Sequence, residues 1–307
     1  KEVIYLFENI EELIEEAKKE PSLKLAVAAA GDKVVLESVK KADEEGIIDA
    51  ILIGDKDKIN SALDKLNYDF KGEIIHTNSN KESAQKSIEL IAEGKADFPM
   101  KGLLSTKTIL KALLDKQYGL RQDRLLSLVT MMDLEKENRI VFMTDGGMNI
   151  NPDLNDKKEI ISNAVEMAQA VGVEKPKVAP LAAVEKVNPA MPCTLDAANL
   201  SKMADRGQIE NAEIDGPLAF DNAISVEAAE HKGIESPVAG LADILLVPDI
   251  EAGNVLYKAL VFYAGLPSAS LVLGAKVPMV LTSRADSAQT KFNSIALGKM
   301  VTKGYKN

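Results

Sequence analysis

The sequence has few of the residues on which many enzymes build their chemistry. It contains one cysteine, Cys193, two histidines, His76 and His231, and no tryptophan in 307 residues. A single cysteine excludes an intrachain disulfide, and a histidine triad or metal site would need unrelated loops to converge. The sequence also lacks the Rossmann, Walker, zinc-peptidase and nucleophile-elbow signatures. Rossmann-type dinucleotide, P-loop nucleotide and zinc chemistry are therefore disfavoured, and we expect no metal and no tightly bound cofactor.

Long apolar runs are scarce as well, and the 47 acidic residues outnumber the 37 lysines and arginines. The longest mostly apolar region, residues 259–282, is broken by glycines, prolines and a lysine, so it predicts a helix end and two buried strands instead of a membrane span. The formal net charge of −10 argues against general binding to nucleic acid or an anionic membrane. The first residues form an acidic, amphipathic segment, unlike a secretory signal. We expect a cytoplasmic protein that binds small molecules.

The order of the predicted elements indicates an α/β fold. Short β-branched runs alternate with helices of about a dozen residues through the first hundred residues, a pattern typical of parallel βαβ units. With 307 residues, 46% of them hydrophobic, the chain has enough material for two domains, each with its own core. We expect open, mostly parallel sheets flanked by helices. Ligands in such sheets bind beyond the carboxyl ends of the strands.

A predicted anion site follows one of the last strands. The strand VPMVL leads into residues 282–287, which carry Ser283, Arg284, Asp286 and Ser287 ahead of a helix. An arginine and hydroxyls that face a helix N-terminus can hold an oxyanion, and Asp286 and Ser287 can cap that helix. Residues 280–307 are also rich in lysine, which fits a polyanionic small molecule. The alternative is a capped surface loop followed by a solvated helix.

A second loop has the composition of a phosphate-binding turn. After the strand that begins at Phe98, the chain carries Lys101, Gly102, Ser105 and Thr106 and then enters a helix. Hydroxyls at a helix start, a glycine and a lysine can bind phosphate. The spacing is not that of a Walker loop, and ordinary capping by serine or threonine explains the hydroxyls equally well.

Two further segments place polar groups after buried strands. The sequence MTDGGMNINPDL brings Asp145, Asn149 and Asn151 into one turn, which predicts a segment that lines solvent or a ligand. Near residue 250 another helix begins after a strand, and it carries Asn254, Tyr257 and Lys258 on its first turns. Asn254 and Lys258 are four residues apart and share a helix face. A long surface loop and a solvated helix face are the respective alternatives.

Six ordered segments together resemble the phosphate acetyl/butyryl transferase family, and its butyryl branch more closely. They are KGLLSTKTILKALL, MTDGGMNINPDL, LAAVEKVNPAMPCTLDAANL, DGPLAFDNAIS, VAGLADILLVPDIEAGNVLYKAL and LTSRADSAQTKFNSIAL. The resemblance runs over nearly the whole chain. It implies the two-domain fold of isocitrate and isopropylmalate dehydrogenases, with the active site in the interdomain cleft. It also implies a first domain of residues 1–133 plus 274–307 and a second of residues 134–273.

The resemblance implies reversible acyl transfer between coenzyme A and inorganic phosphate. For the butyryl branch the reaction is butanoyl-CoA plus phosphate giving butanoyl phosphate plus CoA, with attack by the CoA thiolate in the reverse direction. Ser283 and Arg284 resemble the family's Ser-Arg pair at the reaction centre. Thr290 stands where the acetyl enzymes carry an aspartate proposed as the base, so Asp286 becomes the candidate base. Gly146 replaces the acetyl branch's cysteine, which excludes covalent catalysis there.

The remaining predicted contacts are to the acyl phosphate, phosphate or CoA. They involve Lys101, Gly102, Ser105, Thr106, Asp145, Asn149, Asn151, Asn254, Tyr257, Lys258 and Ser287. Coenzyme A acts as a substrate, and a homo-oligomer is implied by the resemblance alone. Within the class, an acetyltransferase or a broad short-chain acyltransferase is the alternative. A catalytically inert sensor of acyl-CoA or acyl phosphate is an alternative of a different class, and a decarboxylating dehydrogenase is disfavoured because the arginines are scattered.

Overall fold

The computed structural model describes residues 7–306. The strands are β1 (Leu23–Ala28), β2 (Ile48–Gly54), β3 (Glu73–His76), β4 (Phe98–Lys101), β5 (Ser127–Leu134), β6 (Arg139–Thr144), β7 (Lys177–Pro180), β8 (Glu213–Ile214), β9 (Ile244–Leu246), β10 (Ser268–Leu273) and β11 (Met279–Val280). The helices are α1 (Ile10–Lys19), α2 (Lys33–Glu44), α3 (Lys56–Lys65), α4 (Asn80–Ala92), α5 (Thr106–Leu113), α6 (Leu154–Ala170), α7 (Pro192–Asp205), α8 (Phe220–Ile224), α9 (Val226–His231), α10 (Ile250–Tyr257) and α11 (Ala288–Lys306). The predicted α/β fold is confirmed by this alternation.

The described chain packs as two compact units. The first unit consists of Ile10–Arg124 and residues 268–306, and the second unit consists of residues 7–9 and Leu125–Pro267. The predicted domain ranges differ from these units at residues 7–9, 125–133 and 268–273. The first six residues, which belong to the predicted first domain and to the acidic N-terminal segment, lie outside the described residues, as does residue 307.

The first unit is a mostly parallel sheet with the strand order β3-β2-β1-β4-β11-β10. β1 pairs in parallel with both β2 and β4, and only β10 runs antiparallel to its neighbour β11. Side-chain caps fix where the helices begin, because each satisfies an otherwise free N–H group of the first turn. Asp32 accepts from Val35 N at the start of α2, and Ser79 accepts from Glu82 N at the start of α4. The helices therefore start directly after the carboxyl ends of the strands.

The second unit has the strand order β5-β6-β9-β7-β8. β5 and β6 form an antiparallel pair, whereas β6, β9, β7 and β8 are parallel. A capping box opens α6, in which Asp153 and Asp156 each accept from the other's backbone N–H. The π-helical segment Lys258–Tyr263 continues directly from α10. The hydrophobic core of the second unit contains residues of β6, β9 and α8, among them Val141, Leu245 and Ala223.

Lys299 and Lys303 of α11 are not part of a free basic surface, so they do not contribute to the polyanion site that was predicted within residues 280–307. Lys299 is buried and donates from Nζ to the carbonyls of Ala17 and Glu20 at 2.7 and 2.9 Å, so it caps the end of α1. Lys303 forms an ion pair with the Glu20 carboxylate. Both side chains are used to hold α11 against α1.

Two features are absent from the residues that the structure describes. None of the helices within residues 7–306 is long and apolar enough to cross a membrane. In the same part of the chain, no group of three or more histidine, cysteine, aspartate and glutamate side chains is placed to hold a metal ion.

Candidate active site

Neighbouring strands bring two of the predicted loops together in the first unit. Val280 of β11 pairs with Met100 of β4 in parallel. The Lys-Gly loop (residues 101–106) and the Ser-Arg loop (residues 282–287) therefore leave the sheet on the same side, at the carboxyl ends of β4 and β11, which is called the site edge below. The predicted residues that this edge brings together are Lys101, Gly102, Ser105, Thr106, Ser283, Arg284, Asp286 and Ser287.

A glycine is required where the Lys-Gly loop crosses the end of β1. Gly102 N donates to the carbonyl of Ala28 at 2.8 Å, and the next N–H donates to Ala29. A Cβ atom at position 102 would lie 2.4 Å from the Ala29 oxygen and 2.5 Å from the Ala28 oxygen, distances at which the backbone would have to move. Gly102 thus fixes the path of the loop, a role distinct from ligand contact.

The Ser-Arg loop is held from inside by Asp286 and Lys291. The Asp286 carboxylate is buried and accepts from Ser283 N at 2.6 Å. The Lys291 ammonium is also buried, and it donates to the carbonyls of Ser283 and Asp286, both at 2.9 Å. These charge-assisted bonds are stronger than neutral ones and fix the backbone on both sides of Arg284.

A buried cation without a carboxylate partner lies next to this loop. Lys101 is 6% exposed, and its Nζ reaches only two carbonyls, those of Gly102 at 3.5 Å and Leu104 at 3.4 Å. No ion pair to Lys101 occurs within residues 7–306. Burial lowers its pKa, and the positive charges of Arg284 and Lys291 lower it further, whereas Asp286 acts in the opposite direction. Three cations, Lys101, Arg284 and Lys291, stand against two carboxylates, Asp286 and the Asp32 that acts on Lys291, so this end of the strands keeps a surplus of one positive charge.

The Arg284 side chain is exposed and available. Its guanidinium has no hydrogen bond or ion pair with any of the described residues. Arginine binds phosphate or carboxylate oxygens in a planar, bidentate manner. A free guanidinium close enough to the buried Lys101 to lower its pKa is suited to a phosphate group.

The predicted hydroxyl ligands cap helices. Ser105 Oγ accepts from Thr108 N at 3.1 Å at the start of α5, of which Thr106 is the first residue. Ser287 Oγ accepts from Thr290 N at 3.0 Å at the start of α11. Two helix N-termini therefore begin at this edge, and their partial positive charge adds to that of the three cations.

In the second unit, Asp145 and Asn149 organise the turn after β6. The buried Asp145 carboxylate accepts from the N–H groups of Gly147, Met148 and Asn149 and from Asn149 Nδ2 at 2.7 to 3.3 Å. Desolvation raises the pKa of Asp145, against the hydrogen bonds. Asn149 Nδ2 also donates to the Leu126 carbonyl. Both side chains point into the turn, while Asn151 is exposed.

The same turn contacts α10 where the backbones of Gly146 and Gly253 meet. A Cβ atom on Gly253 would lie 2.7 Å from Gly146 Cα, so the two backbones touch. Asn254 Nδ2 donates to the Gly146 carbonyl at 3.2 Å. Lys258 N–H bonds to the Asn254 carbonyl, which confirms the predicted shared face, and Lys258 Nζ lies 5.0 Å from the Tyr257 ring centre. These contacts bring Asn254 next to the turn that Asp145 and Asn149 organise, whereas Tyr257 packs against the hydrophobic core of the second unit.

The role of Lys291 in holding the Ser-Arg loop was not predicted from the sequence. Its position in α11 among Phe292, Ile295 and Ala296, which are all buried, was the available signal, because a lysine within a buried helix face must find polar partners. The lysines of residues 280–307 were all interpreted as solvated or ligand-binding, and the buried position of Lys291 was therefore overlooked.

Comparison with known proteins assigns the family. The family model described as "Phosphate acetyl/butaryl transferase" matches residues 78–298. The chain is 48% identical over 297 residues to the phosphate butyryltransferase of Clostridium acetobutylicum, covering 96% of this chain and 99% of that protein. It belongs to the phosphate acetyl/butyryl transferase family. The predicted family is thereby confirmed, and the chain is an acyltransferase of this family.

Other family members resemble it closely as well. It is 47% identical to the phosphate acetyltransferase of Thermotoga maritima, over 94% of this chain and 98% of that protein. A branched-chain phosphotransacylase from Enterococcus faecalis V583 superposes with a TM-score of 0.82 at 35% identity, over 91% of this chain and 99% of that one. A 4-hydroxythreonine-4-phosphate dehydrogenase from Burkholderia phymatum, at 13% identity and a TM-score of 0.57, shares the fold. The predicted dehydrogenase-like fold class is confirmed.

Proposed function

We propose that the protein catalyses reversible transfer of a short acyl group, butanoyl by preference, between coenzyme A and inorganic phosphate. The observation that carries the proposal is the surplus of positive charge at the carboxyl ends of β4 and β11. Lys101 is buried without a carboxylate partner, and Arg284 is unpaired among the described residues. A buried cation is costly until a counter-charge arrives, so this edge favours a phosphate dianion.

The residues have separate tasks in this reaction. In the condensing direction the CoA thiolate attacks the acyl carbonyl carbon, a carbon–sulfur bond forms, and the carbon–oxygen bond to phosphate breaks. Negative charge grows on the leaving phosphate, where Arg284 and Lys101 neutralise it, and Ser283 donates to the same group or to the carbonyl oxyanion. A thiol of pKa about 8.5 is mostly protonated at neutral pH, and nearby cations favour the thiolate.

Asp286 has two compatible tasks in this proposal. Its role as the base that takes the thiol proton stays a prediction. Its bond to Ser283 N supports a positioning role, because it fixes the residue that precedes Arg284. Asp145, Asn149, Asn151, Asn254, Tyr257 and Lys258 stay candidates for contacts to the acyl group or CoA, and a homo-oligomer stays a prediction from the family resemblance.

Relatives of both branches support a second candidate within the class. Sequences named phosphate butyryltransferase and phosphate acetyltransferase match this chain at 48% and 47% identity. A methylene group changes discrimination by only about 1–3 kcal/mol, so a broad enzyme for short straight and branched chains is the alternative.

The test is phosphate-dependent release of the CoA thiol from acetyl-, butanoyl- and isobutanoyl-CoA, followed with a thiol reagent. We expect the highest kcat/KM with butanoyl-CoA. Arg284→Ala should lower kcat/KM by about 100-fold or more, because it removes a charge-assisted contact to the transition state. Arg206→Ala, at an exposed arginine that ends α7 in the second unit, is the matched control and should leave the rate unchanged.

Three outcomes would overturn parts of the proposal. A preference for acetyl-CoA would assign the acetyl alternative, and equal rates would assign the broad enzyme. Release of thiol from none of the three thioesters, with acyl-CoA binding preserved, would replace the transferase by a sensor.

A further inference from the structure

Four lysines are buried among residues 7–306, and Lys101 is the one whose side-chain nitrogen the protein holds most loosely. Lys157 Nζ forms an ion pair with a carboxylate at 2.6 Å. Lys291 and Lys299 each donate from Nζ to two backbone carbonyls at 2.7 to 2.9 Å. Lys101 Nζ contacts two carbonyls at 3.4 and 3.5 Å, beyond the usual range of an N–H···O hydrogen bond. The nitrogen of Lys101 is therefore available to a bound ligand.

The surroundings of Lys101 also favour the neutral amine, which is the nucleophilic form of lysine. An exposed lysine has a pKa of about 10.4 and is almost entirely protonated at neutral pH. Burial lowers the pKa of Lys101, and the charges of Arg284 and Lys291 lower it further, against the effect of Asp286. Burial lowers the pKa of Lys291 and Lys299 as well. A lowered pKa is thus common to three lysines, and the contacts and position of Lys101 set it apart.

Lys101 ends β4 at the site edge, beside the strand that leads into the Ser-Arg loop. β4 and β11 are parallel neighbours. In the proposed function, the phosphate of an acyl phosphate contacts both Lys101 and Arg284. One oxygen atom links that phosphorus to the acyl carbonyl carbon, so an amine that contacts the phosphate is within reach of the carbon. Lys299, in contrast, donates to carbonyls at the end of α1.

We propose that Lys101 is a self-acylation site, where the acyl phosphate made by the enzyme transfers its acyl group to Nζ. The proposal rests on acyl phosphate formation in the proposed function. The neutral nitrogen attacks the carbonyl carbon, a carbon–nitrogen bond forms, and the carbon–oxygen bond to phosphate breaks. Phosphate leaves with the electron pair of that bond and takes up the proton released from the nitrogen. The products are an N-acyl-lysine amide and inorganic phosphate, and no further reactant is needed.

Acylation of Lys101 inactivates the enzyme. The amide is neutral, so it removes the cation that neutralises phosphate in the transition state, and kcat/KM of the modified molecules should fall about 100-fold or more. Coenzyme A protects the lysine, because its thiolate competes for the same carbonyl carbon and consumes the acyl phosphate. Inactivation is therefore expected when acyl phosphate is present without coenzyme A.

The test is incubation of the wild-type protein with chemically prepared butanoyl phosphate in the absence of coenzyme A. Tryptic peptides are mapped by mass spectrometry over time, and residual activity is measured after the reagent is removed. Lys101 should be acylated about tenfold or more faster than the exposed Lys33 and Lys56, because bound phosphate holds the reacting carbon near its nitrogen. Lys291 and Lys299 are internal controls, since both are buried with a lowered pKa and both should stay unmodified.

Competition and variants add independent readouts. Excess inorganic phosphate should protect Lys101 and leave the acylation of Lys33 unchanged. Arg284→Ala should slow acylation of Lys101 about tenfold, because it weakens binding of the phosphate, and Arg206→Ala should not slow it. Lys101→Met should lose none of its residual activity during the same incubation.

The outcomes separate this proposal from the proposed function. An unmodified Lys101 in a protein that turns over normally would overturn self-acylation and leave the transferase intact. Equal acylation of Lys33, or of Lys299, would show reactivity unrelated to the site edge and would also overturn it. Full activity of the acylated protein would overturn the inactivation. Selective acylation of Lys101 in a protein that releases no CoA thiol would support the modification site and reject the proposed function.

Discussion

Replacement of Lys101 by methionine should make the protein more stable and less active. The wild-type ammonium is buried without a carboxylate partner among residues 7–306, and its two carbonyl contacts are at the long end of hydrogen-bond range. Methionine has a similar length and no charge. Because the desolvation cost of the ammonium disappears, the free energy of unfolding should rise by about 1–3 kcal/mol.

The loss of activity follows from the same charge. If Lys101 neutralises the phosphate in the transition state, its removal should cost about 3–4 kcal/mol, which is a 100- to 1000-fold fall in kcat/KM. The assays are urea unfolding without ligand and initial rates of thiol release from butanoyl-CoA with phosphate varied. KM for phosphate should rise together with the fall in kcat.

Phosphate itself supplies an independent readout of the same prediction. A ligand at 100 times its dissociation constant stabilises the folded state by about 2.7 kcal/mol. Phosphate should therefore raise the unfolding midpoint of the wild type, and the increase should be much smaller for Lys101→Met. A loss of stability in Lys101→Met would instead show that Lys101 stabilises the fold, and wild-type activity in the variant would exclude a role for Lys101 in the transition state.

Three further predictions test neighbouring contacts. Lys291→Met should lower the free energy of unfolding by about 2–4 kcal/mol in urea, opposite to Lys101→Met, because two buried carbonyls lose their donor; unchanged stability would contradict this. Burial lowers the pKa of Lys101 below 10.5, so just below that pH the unfolded chain binds more protons than the folded one. The free energy of unfolding should therefore rise with pH in this window. Urea titrations should show a smaller rise for Lys101→Met. Asp145→Asn should lower the free energy of unfolding in urea by about 2–4 kcal/mol, because an amide NH₂ would face the donors of residues 147–149. An unchanged free energy would show that the turn does not depend on the carboxylate.

Local chemistry made much of the fold predictable. The helix starts followed from capping residues, as with Asp32 before α2, because a cap depends on atoms only three residues away. The strands were equally visible, since a strand buried on both faces needs a continuous apolar run such as LAVA at residues 25–28 of β1. The position of the Ser-Arg loop at the end of a strand followed from these two signals.

The electrostatics of the site were less predictable because they depend on distant residues. Lys299 donates to carbonyls about 280 positions away, and nothing in its own sequence neighbourhood indicates α1 as its partner. A cavity of about 210 Å³ in the first unit is likewise lined by segments that follow four different strands, β1 to β4. The sequence shows where lysines are concentrated, but only the fold shows that Lys299 holds α11 against α1 while lysines at helix starts, such as Lys33 and Lys56, face solvent.

³¹P NMR of the wild-type protein with butanoyl-CoA and inorganic phosphate follows the acyl phosphate itself. We expect a butanoyl phosphate resonance that grows in proportion to the CoA thiol released, and that disappears when excess CoA is added. Release of thiol without an acyl phosphate would show hydrolysis of the thioester, and it would contradict transfer to a phosphate held by Arg284 and Lys101.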